Sequence, residues 1–175
     1  MTGAAARSGR LISWTPPLSW LPRALLEPAN PFKAIVVAWA FAFPASILLA
    51  AIIHWIAPGA RQPEFPPHTD PVILIGAVVF LSPIAESLIM GAVLLILLRF
   101  LRPTWAVIVS AIGWGIAHST MVPIWGLVIW WPFLIFSTLF VAWRERSLWL
   151  AFGMPMIVHG LQNLPPTLLL IAGKA

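Results

Sequence analysis

No cysteine occurs among the 175 residues. Its absence excludes disulfides, a thiolate nucleophile and cysteine-based metal sites, and says little about compartment. Charge is also scarce: five Asp and Glu and ten Lys and Arg make up 9% of the chain. With 61% hydrophobic residues and a mean hydropathy of +0.96, a soluble domain of this size has no interior large enough for the apolar surface. The short alternating strands of a membrane β-barrel are missing, and continuous apolar runs stand in their place. No internal repeat or low-complexity segment is evident. No serine sits in a G-x-S-x-G-type elbow, and the H-E-x-x-H spacing of a zinc protease is absent.

What remains is an all-α polytopic transmembrane helix bundle, with about five to six spans by the rule of roughly 20 apolar residues per crossing. The net charge of +5 and the sequence pI near 11.5 come from few residues, most of them beside apolar runs. They report topology rather than nucleic-acid binding. Eleven Trp suit the membrane–water interface.

Residues 1–32 carry Arg7, Arg10 and Arg23 among Pro16, Pro17, Pro22 and Pro28. This segment is too broken to span and is expected in the cytoplasm or on the membrane surface. The transmembrane domain is expected over 33–175. Its first run, about Ala34 to Ile56, is too long and too far from Met1 for a simple signal peptide. A loop follows over 57–70, with Arg61, Glu64, His68 and Asp70. From Pro71 to Leu101 a straight helix would be about 45 Å long, more than the hydrocarbon core, so tilt or a break is needed, with Pro83 the obvious break. Further helices are predicted from Pro103 to about Ser119, onward to about Trp143, and from about Leu148, broken at Pro165-Pro166. Arg7, Arg10, Arg23 and Lys33 precede the first span and favour a cytoplasmic N-terminus. One crossing over 71–101 then places Arg99, Arg102, Arg144 and Arg146 on the same side. The expected location is a bacterial inner membrane.

Polar residues inside these runs are few. Of the five acidic residues, only Glu86 is flanked by apolar sequence on both sides. A carboxylate at membrane depth costs about 2.5–3.5 kcal/mol or more and is a functional-site candidate by default. His118 lies in the next helix, and His159 with Asn163 share one face of the last. Each has a plainer reading: a structural Glu, an interfacial His, or an inter-helix hydrogen bond worth ~0.6–2 kcal/mol. Together they suit activation of water by Glu86 and one His, with the second His and an Asn donating to an oxyanion. Two His and a Glu are also zinc ligand types. A small transporter or proton relay would use the same groups.

Three stretches carry a resemblance. They are Ala85-Glu86-Ser87-Leu88-Ile89-Met90-Gly91, Trp114-Gly115-Ile116-Ala117-His118 and His159-Gly160-Leu161-Gln162-Asn163. Their order and spacing resemble the E-E-x-x-x-R-G, F-x-x-x-H and H-x-x-x-N motifs of the CPBP (CAAX protease, or Abi) family of intramembrane endopeptidases. Arg144-Glu145-Arg146-Ser147-Leu148-Trp149 fits the basic turn before the third motif, and the resemblance spans about 70–165. It implies hydrolysis of membrane-associated or prenylated peptides without a cofactor, with Glu86, His118, His159 and Asn163 as catalytic residues and no nucleic-acid partner. Three positions depart from the pattern: Ala85 replaces the first Glu, Met90 the Arg and, more mildly, Trp114 the Phe. Either Glu86 takes over as base, turned by about 100° relative to residue 85 through a break at Pro83, or the chain is a catalytically silent member that binds a partner.

Overall fold

The computed structural model describes residues 12–61 and 69–173. Arg7, Arg10, Pro63, Glu64, Pro66, Pro67, His68 and Lys174 lie outside the described residues. All regular structure in the described residues is helical. A short α1 (Arg23–Leu26) precedes five long rods. The first is α2 (Pro31–Ile56). The second is continuous but composite: α3 (Pro71–Ile75), a π-helical turn (Gly76–Leu81) and α4 (Ser82–Leu97). Then come α5 (Pro103–Met121), α6 (Gly126–Trp143) and α7 (Leu148–Ala172). By length and composition, Pro31–Ile56, Pro71–Leu97 and Gly126–Trp143 suffice to cross a membrane. Chain 71–97 is one continuous rod, long enough for the single crossing that the charge pattern requires.

Local chemistry explains the starts. Asn30 accepts from Lys33 N, Asp70 from Val72 N and Ile73 N, and Ser147 from Leu150 N, each meeting amides that the first helical turn leaves without partners. Pro31, Pro71 and Pro103 occupy first helical positions, where a missing N–H costs nothing.

α6 is the central post. It packs against α5, α2, α7, α4 and α1, and 14 of its 18 residues are buried. α2 and α4, by contrast, expose rows of large apolar side chains, such as Ile47, Leu48 and Ile52, or Ile84, Leu88 and Ile89. Those rows suit lipid contact. Against α5, the post approaches through small residues: a Cβ on Gly126 would fall on Gly115 O and Ser119 Oγ. Ser110 and Ser137 hydrogen-bond across the same interface at 3.0 Å, and Trp131 Nε1 ties α6 to Phe41 O of α2 at 2.9 Å.

The N-terminal segment is latched to one end of the bundle. Leu18, Leu21 and Leu25 enter the core. Thr15 Oγ1 donates to Thr104 Oγ1 at the start of α5 (3.1 Å). Arg146 Nη1 donates to Pro28 O and Ala29 O. Arg102 and Arg144 line one cleft with Thr15. The basic residues after α4 and α6 therefore gather at one end.

The expected break at Pro165-Pro166 does not occur: α7 runs unbroken through both prolines to Ala172. Pro165 removes the amide that would pair Leu161 O. Trp39 Nε1 of α2 takes that carbonyl instead, at 3.2 Å.

Packing at the α5–α6 crossing sets one expectation. Gly126→Ala should destabilise the protein by about 1–3 kcal/mol, the usual cost of overpacking, measured as a lower thermal midpoint in detergent. Gly113→Ala, where a Cβ meets nothing within 4 Å, should leave the midpoint unchanged or raise it.

Candidate functional site

The site begins with an irregular turn. In the π turn over Gly76–Leu81, Ser82 N bonds back five residues to Ala77 O. Continuing that register, the donor to Val78 O would be residue 83; in the α register, residue 83 would serve Val79 O. Residue 83 is proline and has no N–H. Both carbonyls therefore need other company. Asn163 Nδ2 donates to Val78 O at 2.9 Å. Gly160 lies so close to Val79 O that a Cβ there would stand 2.8 Å from it. The side chain and the glycine that hold α7 to this turn thus both belong to the H-x-x-x-N stretch.

Spanning Pro83, Ser82 Oγ donates to Glu86 Oε1 one turn along α4. The other carboxylate oxygen, Oε2, is buried without a hydrogen-bond partner and lies 3.7 Å from His118 Nε2. Both side chains keep a little exposure, 22% for Glu86 and 19% for His118. His118 Nδ1 is 2.9 Å from Trp114 O. A carbonyl only accepts, so Nδ1 carries the proton, and in the neutral ring Nε2 presents a lone pair toward Glu86.

Phe133 of α6 joins the two histidines. Trp114 stacks on it at 4.4 Å, and its ring centroid lies 5.6 Å from that of His118 and 5.4 Å from that of His159. Phe133 meets His159 edge to face, and Phe136 stacks on it at 5.0 Å. His159 is buried, and its Nδ1 has no hydrogen-bond partner. The ring is thus oriented by aromatic packing. Among the described residues, no three His, Asp or Glu side chains group as metal ligands.

Of the four residues singled out in the sequence, Glu86 pairs with His118, His118 and His159 both contact Phe133, and Asn163 holds the π turn. Ala85, by contrast, is exposed on the outer side of α4, and Met90 is fully buried in the core. Glu86 faces His118, but the helix does not break at Pro83 as expected: the rod runs on through it, and a π turn stands just before it. A turn closed by i→i+5 bonds takes up one more residue than an α turn and shifts the rest of the helix by one position. Two residues were missed. Ser82 was legible as a hydroxyl four residues before the carboxylate. Phe133 gave no signal, being one aromatic in a uniformly apolar run.

The proline-stranded carbonyls carry an expectation. Asn163→Leu and Trp39→Phe each remove one donor and leave a carbonyl in an apolar helix without its partner. Each should lower stability by about 1–3 kcal/mol, read as a shifted unfolding midpoint in detergent.

No curated protein and no solved structure matches the chain. A family described as type II CAAX prenyl endopeptidase Rce1-like matches residues 68–165, more than half of the sequence and all of the segment that builds this site. The chain belongs to the Rce1-like family of type II CAAX prenyl endopeptidases, a family of helical membrane proteases.

Proposed function

We propose that the protein is an intramembrane endopeptidase that hydrolyses peptide bonds of membrane-associated or lipidated chains, with Glu86 as its general base. The observation that carries this reading is the pairing of Glu86 Oε2 with His118 Nε2 at 3.7 Å. That gap is too long for a direct hydrogen bond and suits one water bonded to both atoms. With Nδ1 protonated, Nε2 accepts one hydrogen of the water and the carboxylate accepts the other. Ser82 holds Glu86 in this orientation.

The water oxygen then attacks the scissile carbonyl carbon as its proton passes to Glu86. Negative charge develops on the carbonyl oxygen, and His159, protonated at the unpartnered Nδ1, donates to it. Asn163 keeps one amide hydrogen on Val78 O and offers the second to the same oxygen. As the C–N bond breaks, Glu86 returns the proton to the departing amine nitrogen, leaving a carboxyl and an amine terminus.

This reading assigns no task to position 85. A carboxylate there would face away from His118, and Ser82 and His118 already engage Glu86. The test is cleavage of prenylated and unprenylated membrane peptides by purified protein in liposomes. Glu86→Gln and His118→Ala should each lose about 10²–10⁴-fold in rate. His159→Ala should lower kcat by about 10²–10³-fold. Ala85→Glu should restore nothing to Glu86→Gln. Full activity in Glu86→Gln would overturn the assignment. Cleavage appearing only in Ala85→Glu would mean a silent protein of this fold.

A further inference from the structure

The basic end of the bundle holds a cleft of about 650 Å³ that the chemistry above does not use. It lies between the N-terminal segment, the start of α5 and the end of α6, about 22 Å along α5 from His118. Arg102 and Arg144 line it, with the hydroxyl-bearing Ser13 and Thr15 and one carboxylate, Glu145. That lining is positive and short of acceptors. Glu145 Oε1 meets Arg144 Nη2 at 3.0 Å, while Arg144 Nε is buried with no hydrogen-bond partner. Arg102 makes no ion pair among the described residues. Each guanidinium has five N–H donors, so a single carboxylate leaves most of them unmet. α5 begins here with no side chain capping its first turn, which adds the positive end of a helix. Every described Lys and Arg except Arg61 lies at this end, against Glu27 and Glu145. An anion with several acceptor oxygens, such as a phosphate, fits these donors.

The surroundings decide what carries that phosphate. Phe32, Phe100, Trp105 and Trp149 stand near the ends of four rods at this same end, each at least 51% exposed. Exposed aromatic rings at rod ends mark the level of the lipid headgroups. Below Arg102, the exposed side chains Trp105, Val109, Ile112 and Ile116 follow one another at spacings of four, three and four. That spacing puts them on one face of α5. The stripe descends about 17 Å, close to half of a roughly 30 Å hydrocarbon core and so to the depth of one acyl chain. A free phosphate ion has no use for such a stripe. A zwitterionic headgroup would bring its own cation into a cleft that is already positive.

We infer that this cleft seats the phosphate of an anionic phospholipid between Arg102 and Arg144, with an acyl chain lying along the α5 stripe. The seat is shared by three separate parts of the chain, and Thr15 already ties two of them together through Thr104. A lipid bound there joins the N-terminal segment to α5 and α6, and so stabilises the folded protein. The inference is independent of the endopeptidase reading, and none of its tests depends on cleavage.

The experiment titrates lipid into the purified protein in a neutral detergent and reads the thermal midpoint. Salt is held at about 1 M, where a Debye length of about 3 Å screens diffuse attraction. Phosphatidylglycerol should raise the midpoint and phosphatidylcholine should not. No rise, or an equal rise with both lipids, overturns the site. Arg102→Gln and Arg144→Gln should each need about tenfold more phosphatidylglycerol for the same rise, the loss expected of a hydrogen bond between charged groups. Arg102 is exposed, so its variant decides the matter should Arg144→Gln fail to fold. Arg99→Gln removes the same charge at the same end but outside the cleft, and should leave the titration unchanged. Equal weakening by Arg99→Gln would reveal a diffuse surface attraction and overturn the seat. A rise reproduced by inorganic phosphate overturns the lipid in favour of the free ion. Finally, phosphatidylglycerol with a photoreactive acyl chain should crosslink to the 105–116 stretch; crosslinks confined to α2 and α4 overturn the placement.

Discussion

Within a bilayer no water is at hand for a carbonyl that has lost its amide partner, so a proline inside a spanning helix demands a donor from somewhere else. Two such carbonyls shape this protein. The one stranded by Pro83 is met by Asn163, which ties α7 to the π turn. The one consistent with Pro165 is met by Trp39, which ties α7 to α2. Neither contact is large, yet each joins two rods at a fixed height. Apolar packing alone specifies height poorly, since lipid tails are as apolar as the side chains they would replace. The prolines thus act less as breaks than as sockets.

The same double use of groups runs through the site. Asn163 carries a structural bond and one more hydrogen to offer, and the π turn that exposes Val78 O also precedes the carboxylate-bearing helix. Phe133 sets the spacing between the imidazoles without a hydrogen bond, leaving His159 Nδ1 unclaimed. An unpaired polar atom in such surroundings is costly. Its retention in a buried ring fits a group whose partner arrives with substrate.

Much of this is legible in the sequence. Glu86, His118, His159 and Asn163 stand out because polar groups in apolar runs are rare enough to be noticed singly. The helices can be counted from run lengths, and the one-end clustering of arginines from alternation. The features that escape a sequence reading depend on register and partnership. A π turn has no composition signature: Gly76–Leu81 reads like any apolar helix. Pro165 and Pro166 look like a break because a sequence window shows the lost amide but not the indole 122 positions earlier that compensates. The N-terminal segment reads as surface because its prolines and arginines are conspicuous, while the three leucines that seat it in the core are unremarkable one by one. The motif alone shows a carboxylate missing at Ala85 but not that this position is exposed on α4.

The buried central helix has a consequence for how such a protein can vary. α6 has no free face: 14 of its 18 residues are buried against protein, while α2 and α4 turn whole rows toward the bilayer. Lipid accepts any apolar shape, so the outer rows can drift among Ile, Leu, Val and Phe with little effect. The post cannot, because each of its buried side chains is fitted against its neighbours. Two mutational regimes therefore coexist in one apolar composition, and the sequence that changes least over time should be the one that never meets the membrane it stands in.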